Sequence, residues 1–300
     1  MRILVVGAGG VGGSYGTLLQ EAGRDVTYLV RPARAEKLRR DGLTFVSPGG
    51  TRTNAVTCVT AGEQAGPFDL VILATKSYGL DSALEDIRPF VTPKTKIIPI
   101  LNGMAHINRV NELYPGQVIG GIVRIVATMD GDSVCQMTPL ITMTIGSLDD
   151  HPVPPDVIEA LDGAGFTLIV SDSIRAALWE KWAFIASAGV VTCLFRGPVG
   201  SLIDAGGLGY IYSAISEGEA VAAAAGYPVS EEGHRNALGL LTEKGSAFTS
   251  SLYRDIASGH AHEGEHIVGA MAQEARTLGI ATPLIDLTLA QIRTGDAAIG

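Results

Sequence analysis

A lysine interrupts an apolar helix face in the second half of the chain. In the run LWEKWAFIASAGVVTCLF, helical spacing puts Lys181 on one face with Leu178, Phe184 and Ile185. Two explanations are open. The aliphatic stem carries the ammonium group out to water, or the fold keeps the ammonium half-buried because a reaction needs it there.

A second group of polar residues lies near the C-terminus. Ser251 and Asp255 are four residues apart and share a helix face, and Glu263 opens the next predicted helix. His262 and His266 also share a face, which raises the question of a metal site. Two aligned histidines fall short of the three or four ligands that such a site needs, so the sequence predicts a polar helix start and no metal.

The N-terminal residues carry the pattern of a dinucleotide-binding loop. Gly7, Gly9 and Gly12 have G-x-G-x-x-G spacing, between an apolar run at 3–6 and a helix-like segment at 14–22. These glycines allow a tight turn, a close approach to a pyrophosphate and close packing of helix on strand. An ordinary glycine-rich turn is the alternative, but the strand–turn–helix context favours a cofactor. The predicted cofactor contacts are Gly7, Ala8, Gly9, Gly10, Val11 and Gly12.

The end of the second strand selects the cofactor. NAD sites place an acidic residue there, whereas this chain has Arg31, followed by Arg34 and Lys37. A cation suits the 2′-phosphate of NADP, so we predict NADP(H); a solvated basic helix start is the alternative. Lys76 and Asn102 each follow a buried strand, at the edge where open parallel sheets bind ligands. For Lys76, simple surface placement is the alternative.

These side chains need two kinds of element to position them. Apolar runs suited to buried parallel strands recur up to residue 171, with a β-rich hairpin at 117–147 that we expect to extend the same sheet. After residue 171 the pattern becomes helical, with helices predicted over 173–195, 213–226 and 231–242. The sequence therefore predicts an α/β protein in which a Rossmann-type parallel-sheet domain, residues 1–171, precedes an all-helical domain, residues 172–300.

Composition narrows the function classes. The chain has 300 residues, of which 46% are hydrophobic, and a formal charge of −9, which argues against nucleic-acid binding. The three cysteines, an odd number without metal-like spacing, predict a reduced cytoplasmic protein. The longest apolar run, about 182–195, is too short to span a bilayer, so we expect no membrane partner.

Taken in order, the motifs resemble those of the ketopantoate reductase (2-dehydropantoate 2-reductase) family over nearly the full chain. They are GAGGVGG, ATKS around Lys76, LNGM around Asn102, LWEKW around Lys181 and SSLYRDIASGHAHEGEHIVG. The resemblance implies a helical domain like that of 6-phosphogluconate dehydrogenase and NADPH-dependent reduction of ketopantoate to pantoate in pantothenate biosynthesis.

The resemblance also implies roles for single residues. Lys181 would be the general acid, and its desolvated ammonium would have a pKa lowered toward the working pH. Glu263 would hold substrate and lysine, and Ser251, with Asp255 at the family's spacing, would bind the substrate. Lys76 and Asn102 would contact both cofactor and substrate.

The chain departs from the family pattern at two positions. Ile185 and Gly189 stand where members usually carry asparagines. Reduction of another 2-oxo acid or an imine on the same scaffold therefore stays open, as does a non-catalytic NADP sensor. The partner expected is a small-molecule substrate, and apolar faces of the helical domain would suit a homodimer.

Overall fold

A computed structural model describes residues 1–149 and 151–297, which form two compact units. The first unit comprises Met1–Leu101 and His106–Ile174; the second comprises Asn102–Ala105 and the chain from Arg175 onward. The predicted boundary at 171 assigned residues 102–105 to the first domain. In the structure they group with the second unit, where Asn102 forms a hydrogen bond with Glu263 and Gly103 lies against His266.

The described strands all belong to the first unit. They are β1 (Arg2–Val6), β2 (Asp25–Leu29), β3 (Leu43–Ser47), β4 (Gly50–Asn54), β5 (Thr57–Val59), β6 (Leu70–Leu73), β7 (Lys96–Pro99), β8 (Ile119–Asp130), β9 (Ser133–Ser147) and β10 (Thr167–Val170). The helices up to residue 161 are α1 (Gly10–Glu21), α2 (Pro32–Asp41), α3 (Leu80–Ile87), α4 (Ala105–Leu113) and α5 (Pro155–Leu161).

The main sheet is parallel and has the strand order β5-β2-β1-β6-β7. Successive side chains of a strand point to opposite faces, and both faces of β1 are buried. Ile3 and Val5 enter one hydrophobic core, whereas Leu4 and Val6 enter another. This double burial explains the continuous apolar runs and is typical of a Rossmann-type sheet.

The β8–β9 hairpin belongs to a separate sheet, so the prediction that it extends the main sheet was wrong. In this second sheet β9 pairs with β8, β3 and β10, and β3 also pairs with β4. One isolated bridge, Ile97 to Val118, links the two sheets in the described chain. Helix α1 packs against both sheets: Gly16 lies against Tyr28 of the main sheet, and the Tyr15 hydroxyl donates to the Thr142 carbonyl of the second sheet at 2.6 Å.

The described residues of the second unit form helices joined by loops, with no strand among them. Its helices are α6 (Ile174–Gly189), which starts at the unit boundary, α7 (Val199–Asp204), α8 (Leu208–Ala224), α9 (Glu231–Leu241), α10 (Ser251–Ala257), α11 (Ala270–Leu278) and α12 (Pro283–Ala297). Two segments are π-helical: Val190–Leu194, which continues α6, and Glu265–Gly269, which leads into α11. The predicted helix over 173–195 thus corresponds to α6 and its π-helical extension.

Thr282 and Pro283 have the residue types of an N-cap and a first-turn proline, and α12 begins there. A buried acid stabilises this helix start. The carboxylate of Glu217 on α8 accepts hydrogen bonds from the backbone N–H groups of Leu284 and Ile285 at 3.0 to 3.1 Å. A carboxylate is favoured at a helix N-terminus because it meets unpaired donors and the positive end of the dipole.

One described helical segment, Ile174–Leu194, is long and apolar enough to cross a membrane by composition alone. Its most apolar window is 67% buried inside the protein, and its side chains form much of the second unit's hydrophobic core. That burial is what a core helix of a folded domain requires. The predicted cytoplasmic location stays a prediction.

Candidate active site

The glycine loop has the backbone geometry that its spacing predicts. Gly7 has φ of +98°, and its N–H donates to the Leu29 carbonyl at 3.0 Å. A Cβ atom on Gly12 would overlap the Gly7 carbonyl and lie 2.8 Å from the Cβ of Ala74. Only glycine at position 12 therefore lets α1 start this close to β1 and β6.

The same loop leaves room for an anionic group. A Cβ atom built on Gly9 meets no described protein atom within 4 Å. Gly9 is the N-cap of α1 and has no side chain to satisfy the N–H groups of the first turn. Open space beside unpaired helix donors fits the pyrophosphate of a dinucleotide. Of the other predicted cofactor contacts, Ala8 and Gly12 are buried, and Gly10 and Val11 are half-buried.

Two of the three basic residues after β2 have an acidic partner. Arg31 is exposed at the N-cap of α2. Arg34 and Lys37, one and two turns further on, form ion pairs with Asp132 at 3.1 and 2.8 Å. Asp132 lies in the turn between β8 and β9, almost one hundred residues away, and sequence reasoning missed it. The Gly131-Asp132 turn was the only signal that pointed there.

Lys76 lies at the same edge of the main sheet as the glycine loop. It follows β6, two residues after Ala74, whose carbonyl oxygen is 3.2 Å from the position of a Cβ on Gly7. Its backbone is the N-cap of a short 3₁₀ turn, Ser77–Gly79, and its side chain is exposed. The structure therefore brings Lys76 and the glycine loop together in the first unit.

In the second unit, Glu263 is a buried carboxylate. It is 5% exposed, and the side-chain amide of Asn102 donates to its Oε2 at 3.3 Å. His266 lies beside this pair. Burial lowers the pKa of His266, and the charge of Glu263 and a hydrogen bond with the Asn102 backbone partly oppose that shift. Sequence reasoning considered His266 only as a metal ligand and missed its place next to Glu263.

Lys181 lies half-buried on α6, between two buried tryptophans of the sequence WEKW. The indole N–H of Trp182 donates to the Ile267 carbonyl at 3.0 Å. Ile267 belongs to the π-helical segment that follows Glu263. This buried bond fixes the helix carrying Lys181 to the chain segment carrying Glu263, and neither the bond nor the π-helical turn is visible in the sequence.

Helix α10 presents Ser251 and Asp255 at its first and fifth residues, and Ser251 is exposed while Asp255 is half-buried. The preceding Ser250 caps the helix by accepting from the Tyr253 N–H at 3.0 Å. Its hydroxyl also lies 2.7 Å from that of Thr192 in the π-helical extension of α6. Thr192 donates its own proton to the Ala188 carbonyl, so Ser250 must be the donor between the two hydroxyls.

The two positions that depart from the family pattern are set in apolar surroundings. Ile185 is half-buried one turn after Lys181. Gly189 lies one turn further, and a Cβ there would contact Leu252 at 3.4 Å and Val268 at 3.5 Å. Hydrocarbon from α10 and from the segment before α11 therefore lines α6 at this point.

His262, next to Glu263, makes two hydrogen bonds within the second unit. The Nδ1 atom of His262 accepts from the Gly264 N–H at 3.2 Å, so its Nε2–H donates to Asp296 on α12 at 2.9 Å. Within residues 1–149 and 151–297, no three His, Cys, Asp or Glu side chains are grouped as metal ligands would be. The absence of a metal stays a prediction.

Family models match both parts of the chain. The model described as "Ketopantoate reductase PanE/ApbA" matches residues 3–150, and "Ketopantoate reductase PanE/ApbA C terminal" matches residues 173–295. Among curated proteins, the chain is 32% identical over 302 residues to "Uncharacterized oxidoreductase YkpB" of Bacillus subtilis, with 99% of each chain covered. It is 24% identical to a 2-dehydropantoate 2-reductase of Mesorhizobium japonicum, with 98% of this chain and 97% of that protein covered.

A solved structure shares the fold with low sequence identity. D-mandelate dehydrogenase in a ternary structure with NADH and anilino(oxo)acetate superposes with a TM-score of 0.88 at 20% identity, covering 99% of both chains. At that identity the likeness shows the fold alone.

Proposed function

Because the chain belongs to the ketopantoate reductase family, and is therefore an NADP(H)-dependent oxidoreductase acting on a CH–OH group, we propose that it reduces 2-dehydropantoate to pantoate. This would place it in pantothenate and coenzyme A biosynthesis. The observation that carries the proposal is the buried carboxylate of Glu263, in contact with Asn102, on a segment fastened to the helix of Lys181.

The first unit has the residues to bind the cofactor. The Gly7–Gly12 loop and the first turn of α1 would hold the pyrophosphate, and Arg31 would meet the 2′-phosphate. Lys76, which lies at the same edge of the sheet, would also contact the cofactor. When bound, NADPH supplies a hydride for the carbonyl carbon of the substrate.

The second unit has the residues for proton transfer. As the carbonyl carbon is reduced, its oxygen gains negative charge, and the ammonium group of Lys181 would donate a proton to that oxygen. A half-buried ammonium also stabilises the developing charge more strongly than an exposed one. The Glu263 carboxylate would hold the ammonium and the substrate in place, and Ser251 and Asp255 on α10 would bind the substrate.

A second substrate class is favoured by a specific observation. Ile185 and Gly189, with Leu252 against Gly189, give α6 an apolar surface beyond Lys181. A surface without hydrogen-bonding groups does not reward a substrate hydroxyl such as that of ketopantoate. Another 2-oxo acid or an imine with an apolar substituent is therefore the alternative substrate, reduced with the same catalytic residues.

The test is NADPH oxidation by purified protein with ketopantoate, smaller and bulkier 2-oxo acids, and two cyclic imines. The highest kcat/KM for ketopantoate supports the proposal. A higher value for an apolar 2-oxo acid or an imine supports the alternative. Tight NADPH binding without turnover of any compound would contradict both and support an NADP sensor.

We also propose that the protein is a homodimer. The second unit exposes large apolar side chains, including Tyr210 at 54%, Tyr212 at 50% and Leu287 at 55%, and exposed apolar area is typical of association surfaces. Light scattering should give twice the 31.2 kDa of one chain. A single-chain mass at micromolar concentration would contradict the proposal.

A further inference from the structure

Asp132 binds Arg34 and Lys37, the two cations that follow Arg31 on α2. One guanidinium nitrogen of Arg34 donates to its carboxylate at 3.1 Å, and another donates to its backbone carbonyl at 3.0 Å. The ammonium of Lys37 donates to both carboxylate oxygens, at 3.0 and 2.8 Å. A single residue thus accepts four hydrogen bonds from two cations of α2.

The fold fixes this acidic residue in place. Asp130 pairs with Ser133 at the end of the hairpin, which leaves Gly131, at φ +57°, and Asp132 as a two-residue turn. A few residues earlier, β8 lies against the start of α1: a Cβ on Gly10 would be 3.0 Å from the backbone at Ala127 and Thr128. The hairpin therefore packs against the start of α1. Its turn lies a few residues beyond this contact and places Asp132 beside α2.

Arg31 differs from the other two cations. Among the residues that the structure describes, Arg31 has no ion-pair partner, whereas Arg34 and Lys37 share Asp132. Arg34 and Lys37 follow Arg31 by one and two turns of α2, so Asp132 adds a negative charge beside the helix whose N-terminus would meet the phosphate. Salt screens such a charge, because the Debye length is about 8 Å at physiological ionic strength.

We propose that Asp132 is a specificity-determining residue that limits the preference for NADPH over NADH. It neutralises one of the three positive charges, holds Arg34 and Lys37 away from the phosphate, and repels the phosphate directly. The proposal rests on the assignment of the 2′-phosphate to the Arg31 end of α2. NADH lacks this phosphate, so its affinity is nearly independent of Asp132.

The test is Asp132→Asn, which keeps the side-chain shape and the turn but removes the charge. The dissociation constants of NADPH and NADH are measured by titration for wild type and variant. We expect NADPH to bind about two- to fivefold more tightly in the variant, an effect of the size found for exposed charge pairs, with little change for NADH. The gain should shrink in high salt. Asp130→Asn, on the same hairpin, is the matched control and should leave both constants unchanged.

An unchanged or lower NADPH-to-NADH preference in Asp132→Asn overturns the proposal. Arg31→Ala tests the underlying assignment separately, because it should weaken NADPH binding far more than NADH binding. Equal losses for the two cofactors in Arg31→Ala would show that the phosphate site was misplaced. A selective loss there, together with an unchanged preference in Asp132→Asn, would refute only the role of Asp132.

Discussion

Single residues of the two candidate sites are held by partners from distant parts of the chain. Asp132 binds Arg34 across 98 residues, and Asn102 binds Glu263 across 161. Residue type and local spacing single out the members of a site that lie in motifs, such as Arg34 or Glu263. They give no information on a partner supplied by another element, which is why Asp132 and the neighbourhood of His266 emerged only from the structure.

At the residue scale, two adjacent serines should separate stability from substrate binding. Ser250 is buried, caps α10 and donates to Thr192, so Ser250→Ala should lower the free energy of unfolding by about 1–2 kcal/mol. Ser251 is exposed, so Ser251→Ala should change stability by less than about 0.5 kcal/mol. It should instead raise KM for the 2-oxo acid.

Urea unfolding and steady-state kinetics of the two variants check this contrast. A destabilised Ser251→Ala with unaltered KM would contradict the assignment of Ser251 to the substrate. A Ser250→Ala protein as stable as wild type would contradict the capping role.

His266 should make stability depend on pH. Burial lowers its pKa in the folded protein, so the unfolded chain takes up a proton at higher pH than the folded chain. Neutral His266 contributes fully to the free energy of unfolding above the unfolded-state pKa of about 6.5. This contribution is lost as the pH falls through the lower pKa of the folded state.

Replacing this side chain should flatten the acid side of the stability profile. Thermal unfolding of His266→Gln, followed from pH 7 to pH 5, should show a smaller fall in Tm than wild type. His151→Gln is the control, since His151 is highly exposed, and should keep the wild-type slope. An equally steep fall in His266→Gln would show that another group is responsible.

At the scale of elements, the start of α1 combines a packing glycine with a binding glycine. Gly12→Ala would push a methyl group into the Gly7 carbonyl and Ala74, so it should cost about 1–3 kcal/mol of stability, as overpacking does. Gly9→Ala meets no described atom within 4 Å. It should leave Tm nearly unchanged and weaken NADPH binding, because the methyl group would occupy the space of the pyrophosphate.

Thermal unfolding and NADPH titration of both variants test these two roles. Wild-type NADPH affinity in Gly9→Ala would mean that the pyrophosphate does not approach this residue. Unchanged stability of Gly12→Ala would mean that α1 can move away from β1 and β6 at little cost.

Helices and strands were predicted correctly where the apolar spacing was long or where a strand is buried on both faces. The strand at 3–6, the long helix at 173–195 and the start of α12 were all recognisable from apolar spacing and caps. The second sheet was not, because β8 and β9 carry the same kind of residues whichever sheet they join. What separates them from the main sheet is α1, packed between Tyr28 on one side and Val134 on the other. The short α7 lacks a periodic stripe and was missed for that reason.

At the scale of the whole molecule, the predicted fold class and family are confirmed by the parallel sheet, the helical second unit and the matching family models. The prediction of two domains rested on the change from strand-like apolar runs to helical spacing near residue 171. Substrate choice could not be predicted in the same way, because it depends on what surrounds Ile185 and Gly189. Leu252 and Val268, which fill that space, lie more than sixty residues away in the sequence.

The central claim is that Lys181 protonates the carbonyl oxygen of a substrate reduced with NADPH. The most direct measurement is the single-turnover rate of NADPH oxidation with the best 2-oxo acid, compared between wild type, Lys181→Ala and Lys244→Ala, an exposed lysine of the same unit. The account predicts a loss of about 10²- to 10⁴-fold in Lys181→Ala alone, the usual contribution of a general acid, with NADPH affinity retained. A wild-type rate in Lys181→Ala would contradict it.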